Sequence, residues 1–224
     1  RSAMIPIMSA AVTGRRVSIF NSADGSEHPM RGVELKNDSN LQLLPGPIAV
    51  FDGGDGQSAY AGDAQIGHIT QGDKRLLAYA VDLDVSALTS GTSTSTVTKL
   101  KIVDGMFEQT VVTQSSDVYA FKNADAKRSR SMIVEHMKFP GWRLVKPEKS
   151  AEETQELYRF EMQVGPGKTE TLTVAQERVE AQRVGLMSID MPTLLTYRKD
   201  GKISEKAMET IRDLGARQAR IAES

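Results

Sequence analysis

The sequence predicts a mainly β protein that ends in two α-helices. Short alternating apolar runs recur along residues 17–179, Gly- and Asp-rich turns separate them, and a helical period of apolar residues appears only after Asp190. The expected layout is an antiparallel sheet or sandwich subdomain over residues 1–113, a β-sandwich subdomain over 114–181 and a helical segment over 182–224.

Val17-Ser18-Ile19-Phe20-Asn21 reads as a strand stopped by the turn residues 21–25, and Val33 and Leu35 share one face of a second. Leu41-Gln42-Leu43 is expected as a third. Residues 48–51 then form a β-branched and aromatic run, entered through Pro47 and stopped by Asp52-Gly53-Gly54-Asp55-Gly56. Residues 60–66 resume the extended pattern, so the pair predicts a hairpin with a glycine tip, and Gly62 and Gly67 are positions for a bulge. The nearly continuous apolar run 74–81 predicts a buried strand. Residues 90–96, rich in Ser and Thr, read as a turn before a strand over 97–103. Asp104-Gly105 is the strongest hairpin signal, with a return strand over 106–113.

Beyond the polar residues 114–117, strands are expected over 118–122, 131–136, 142–145, 157–164 and 169–179. In the run from Leu157 to Val164 the even positions Tyr158, Phe160, Met162 and Val164 are apolar, and Leu172 and Val174 repeat the alternation after a Gly-Pro-Gly turn. That is how an immunoglobulin-like β-sandwich reads without its cysteines. At the C-terminus Asp190 caps a helix running through Tyr197, with Ile189 stapled to Leu194 and Gly201 as the stop. Ser204 caps a second. Its stripe of Ala207, Ile211, Leu214, Gln218 and Ile221 is narrow, of the kind that packs on one neighbour or opens a coiled coil.

Twenty-eight basic and 29 acidic side chains leave a net charge of -1, so no global field favours nucleic acid. Zero cysteines exclude a disulfide framework and thiolate metal sites. No apolar run approaches the ~20 residues that span a bilayer, so the chain is not expected to cross a membrane.

Candidate chemistry is sparse. His28, His68 and His136 lie far apart, whereas zinc needs three or four converging ligands. Asp52, Asp55 and Asp63 flank the Gly-rich loop and are the weak calcium candidates, but they lack the ligand order and distal Glu of an EF-hand; stabilising turns is the simpler role. No Gly-Lys-Ser/Thr follows the loop, and no Gly-x-Ser-x-Gly elbow occurs. No cofactor is expected and no catalytic residue is assigned. Trp142, after Pro140-Gly141, is either a stacking platform or corner packing. The basic run 127–130 reads as a solvated turn, with an acidic partner as the alternative.

Several of these motifs form an ordered set. Leu44-Pro45-Gly46-Pro47-Ile48-Ala49-Val50-Phe51-Asp52-Gly53-Gly54 is followed by Tyr60-Ala61-Gly62-Asp63-Ala64-Gln65-Ile66-Gly67-His68-Ile69 and by Arg75-Leu76-Leu77-Ala78-Tyr79-Ala80-Val81-Asp82-Leu83-Asp84. Then come Glu135-His136, Pro140-Gly141-Trp142 and Gly167-Lys168-Thr169. The set resembles the bacterial C-terminal domain of unknown function of mucoidy-inhibitor-type proteins, from about residue 2 to the C-terminus. The resemblance implies a β-rich module that follows an N-terminal domain and a coiled coil, in a periplasmic, cell-envelope or secreted protein whose export signal lies upstream. It carries over no catalytic residue. The expected role is a non-enzymatic interaction or structural module, with a glycan-binding module or a hydrolase as alternatives. A protein partner, an envelope glycan or self-association through Ile211, Leu214 and Ile221 is the expected contact.

Overall fold

The computed structural model describes residues 9–53, 58–185 and 188–222, without the side chains of residues 218, 219, 221 and 222. The protein is mainly β with two C-terminal helices. The strands are β1 Thr13–Asn21, β2 Met30–Lys36, β3 Gly46–Asp52, β4 Ala59–Ile66, β5 Lys74–Val81, β6 Val85–Val103, β7 Met106–Asn123, β8 Arg130–Met137, β9 Arg143–Lys146, β10 Glu152–Glu153, β11 Leu157–Val164 and β12 Thr169–Gly185. The helices are α1 Met191–Lys199 and α2 Glu205–Ala222.

Two compact units share the chain. The first comprises Arg1–Ser90, Val118–Lys138 and Lys149–Thr173, and the second Gly91–Asp117, Phe139–Glu148 and Val174–Ser224. This differs from the linear division expected at residues 113 and 181. The cause is strand length: β6, β7 and β12 run for 19, 18 and 17 residues and contribute to both units. The Ser/Thr stretch 90–96 lies inside β6 and the polar residues 114–117 inside β7, so neither interrupts its strand. Threonine's β-branch suits the pleat, and on a solvated strand polarity alone does not end pairing.

The first unit contains a six-stranded sheet ordered β10-β11-β8-β1-β2-β5, in which β1 and β8 run parallel and the other pairs antiparallel. The alternation of β11 emerges as expected: Tyr158, Phe160 and Val164 are buried, alongside Met132 and Val134 of β8. Phe20 of β1 meets Tyr119 and Phe121 of β7 edge-on, at 5.9 and 5.2 Å between centroids. Two expectations change. Residues 41–43 form no strand, only an isolated bridge in which Leu43 and Ile69 exchange both backbone bonds, because the Leu41 backbone is engaged by side chains, its carbonyl accepting from Asn37 Nδ2 and its N–H donating to Ser39 Oγ. β5 is a sheet edge and Leu77 is its one buried residue, so its long apolar run does not mark a central strand.

In the second unit the β6–β7 turn is made by Asp104 and Gly105 at φ 50° and 73°. Asp190 caps α1, its Oδ1 accepting from Thr193 N at 2.7 Å, and Gly201 at φ 70° ends the turn. Leu100, Phe107, Leu194, Ile203 and Met208 form the buried cluster, with Ile189, Ala207 and Ile211 packed around it. The N-terminal half of the α2 stripe is therefore covered by the chain's own hairpin.

Candidate binding surface

The β3–β4 hairpin is two-sided, and one displaced residue makes it so. The register shifts between Val50 and Phe51: Val50 faces Gly62 but Phe51 faces Tyr60, leaving Ala61 as the extra residue. Residues three apart in a strand ordinarily point to opposite faces; the bulge puts Tyr60 and Asp63 on the same one. On the inner face Ile48 and Ile66 join Ile69 and Leu77, with Val33, Leu35 and Leu43 around them. Gly62 sits at φ 152°, and a Cβ there would lie 2.1 Å from the Tyr79 carbonyl oxygen, so only glycine lets β4 approach β5 this closely.

The outer face is left to water. Phe51 and Tyr60 are 61% and 59% exposed, with rings 5.9 Å apart and 75° inclined. The Asp63 carboxylate, on the same face and within reach of the Tyr60 hydroxyl, pushes the phenol's pKa upward. Pro47, Ala49 and Gln65 are exposed on the same face.

A second polar feature lies in the same unit. Asp82, 1% exposed, accepts from Ser18 Oγ at 2.6 Å through Oδ2 and from Arg31 Nε at 3.2 Å through Oδ1, and Arg130 Nε lies 3.4 Å away. Asp84 Oδ2 takes Arg31 Nη2 at 2.9 Å and Arg130 Nη2 at 2.7 Å, and Asp125 holds the remaining Arg130 nitrogen at 3.2 Å. These groups line a cleft of about 240 Å³ with Arg16, Tyr79 and Ser131. Burial pushes the Tyr79 phenol up, with the Asp52 charge adding to it. The cleft is an ion-pair clasp joining β1, β2 and β8 to the turn at residues 82–84. Arg130 thus leaves the solvated turn expected for residues 127–130. The available signal was the Asp82-Leu83-Asp84 spacing, two carboxylates aimed the same way at the end of a strand.

Asp52 pairs with Arg16, whose Nη2 also reaches Gly53 O at 3.1 Å, and Asp63 lies on the outer face beside Tyr60. Asp55 lies outside the described residues. Among the described residues no group of three or more His, Asp or Glu is arranged to hold a metal. His28 Nδ1 lies 2.7 Å from Val85 O, His68 Nε2 3.3 Å from Gln42 Oε1, and buried His136 places Nδ1 2.6 Å from the Tyr119 hydroxyl. Trp142 is half-buried, with Phe139 edge-on at 5.8 Å and the Arg178 guanidinium 5.4 Å over its ring. Ile211 packs on the second unit's core, Leu214 is 38% exposed, and the Ile221 side chain lies outside the described residues.

No family model matches the chain, and no curated protein or solved structure matches it. Among the described residues no helix is long and apolar enough to cross a membrane.

Proposed function

We propose that this protein is a non-enzymatic binding module of a larger bacterial cell-envelope or secreted protein, and that a protein partner docks on the outer face of the β3–β4 hairpin. The exposed Phe51–Tyr60 pair carries this reading. An aromatic side chain buries 150–250 Å², so covering the exposed part of both rings would yield about 5 kcal/mol gross. Aromatic anchors of this kind dominate protein interfaces. The bulge at Ala61 and the aliphatic inner face fix the backbone that carries the rings, which keeps the ordering cost of binding to their side-chain rotamers. The ionisable groups of the cleft support a structural role by contrast, since both Asp82 oxygens face donors of the protein itself.

A glycan is the second reading, because Asp63 and Gln65 offer polar groups on the same face. The 75° inclination of the rings leaves one of them, at most, to stack on a sugar. A photo-crosslinking phenylalanine analogue placed at position 51, in cells making the full protein, should give a discrete protein adduct that disappears with Tyr60→Ser. No adduct, or the same adducts from exposed Thr171, would sink the protein reading. Tyr60 NMR shifts on adding soluble cell-wall oligosaccharides would replace it with the glycan.

A further inference from the structure

We infer that the outer edge of β6 over residues 91–98 pairs antiparallel with the same edge of a second copy of the chain. β6 is the terminal strand of the sheet ordered β6-β7-β12-β9. Toward one end of this edge Ala87 N donates to Glu27 O at 2.7 Å, and toward the other Leu100 N donates to Lys202 O at 2.7 Å. Between them the edge has no backbone partner among the described residues, and residues 91–96 are exposed on both faces. Sheet edges are ordinarily protected by charge, proline, shortness or cover. The other edges of the six- and four-stranded sheets have such devices: β5 is approached by Gly62, β10 has two residues and both are Glu, and β9 has four, opened by Arg143 and closed by Lys146 before Pro147. The segment Gly91-Thr92-Ser93-Thr94-Ser95-Thr96-Val97-Thr98 has none of them.

Two arguments select a second copy as the occupant. A two-fold pairing sets a strand against itself, so any charge meets its own like; this segment is uncharged and therefore self-compatible, and facing threonines can hydrogen-bond across the pair. Eight residues a side give about eight ladder bonds, and at one bond per 100–200 Å² that corresponds to about 800–1,600 Å², the range of weak to standard interfaces. The dimer is therefore weak and concentration-dependent.

Sedimentation of the full chain from about 1 μM to about 1 mM should show a mass rising from monomer to dimer. Thr94→Lys with Thr96→Lys puts like charges face to face and should weaken the dimer tenfold or more, whereas Thr94→Val with Thr96→Val keeps it. Amide exchange on the unmodified protein should show residues 91–98 gaining protection with concentration, which decides the matter even if the lysine variant folds poorly. A monomer throughout, an equally stable lysine dimer, open-ended polymers, or exchange at 91–98 that ignores concentration would each overturn the pairing.

Discussion

The β3–β4 hairpin keeps its aliphatic side chains inside and leaves two aromatic rings in water, whereas the stretch of β6 over residues 91–96 leaves serine and threonine exposed on both faces. At the turn end of β6 and β7, Leu100 and Phe107 meet the helices, and Val85, Tyr119 and Phe121 are buried at the opposite ends of the two strands. Both are antiparallel hairpins, so pairing alone does not determine what each offers a partner. One presents side chains with a fixed geometry and suits recognition by shape; the other presents backbone donors and acceptors and suits recognition by strand addition. Sequence composition sets the difference: residues 48–51 are Ile, Ala, Val and Phe, with the larger aliphatic side chains turned inward and Phe51 outward, and Ser/Thr follow one another in 92–96.

The largest test of this contrast removes an apolar side chain from each hairpin. Phe107 is fully buried, so Phe107→Ala should cost about 3–5 kcal/mol through lost burial and a cavity, and should loosen α2 with it. Phe51→Ala, at an exposed position, should stay within about 0.5 kcal/mol. Denaturant unfolding of both variants checks the pair. Similar losses would mean that the outer face of β3–β4 is part of the core after all.

A smaller effect separates the two hairpins by their glycines. Gly105 has φ 73° with nothing within 4 Å of a built Cβ, so Gly105→Ala meets only the left-handed backbone penalty, about 1–2 kcal/mol. Gly62 adds a collision with the Tyr79 carbonyl, and β4 must move for any Cβ to fit; Gly62→Ala should cost about 3 kcal/mol or more. The measurement is the difference in melting temperature. A Gly62 variant no worse than the Gly105 variant would show that the approach of β4 to β5 is unimportant to stability.

The local rules were legible and the long-range ones were not. Asp104-Gly105, the alternation of residues 157–164 and the caps at Asp190 and Ser204 each depend on neighbours within a few positions, and each appears as read. The continuity of β6 through residues 90–96 was hidden because Ser, Thr and Gly signal turns as readily as solvated strands. The clasp of Asp82 and Asp84 with Arg31 and Arg130 joins residues about 50 positions apart; the Asp82-Leu83-Asp84 spacing marks its acidic half, but no spacing rule names the arginines that meet it. The aromatic pair was half visible: the hairpin was expected, but which face its rings take depends on the bulge at Ala61, and therefore on register.

The finest test concerns the Asp63 carboxylate beside Tyr60 on the outer face. Both side chains are exposed, so their proximity is read through the titration of the phenol and not through the stability of the fold. The carboxylate favours the protonated phenol as a donor and opposes the phenolate that would form beside it, which holds Tyr60 above the ordinary tyrosine range. Because the folded pKa is raised, whatever stability this interaction adds is complete below the ordinary value near 10 and is lost as pH rises through the folded one. Asp63→Asn removes the charge and should return Tyr60 toward the ordinary range, while the Tyr79 phenol, raised chiefly by burial, keeps its shift. Ring-carbon NMR titration resolves the two tyrosines, with Tyr60→Phe assigning the signal. A Tyr60 that titrates alike with and without the Asp63 charge would show that the bulge does not bring the two side chains together, and the ring geometry proposed for partner docking would lose its support.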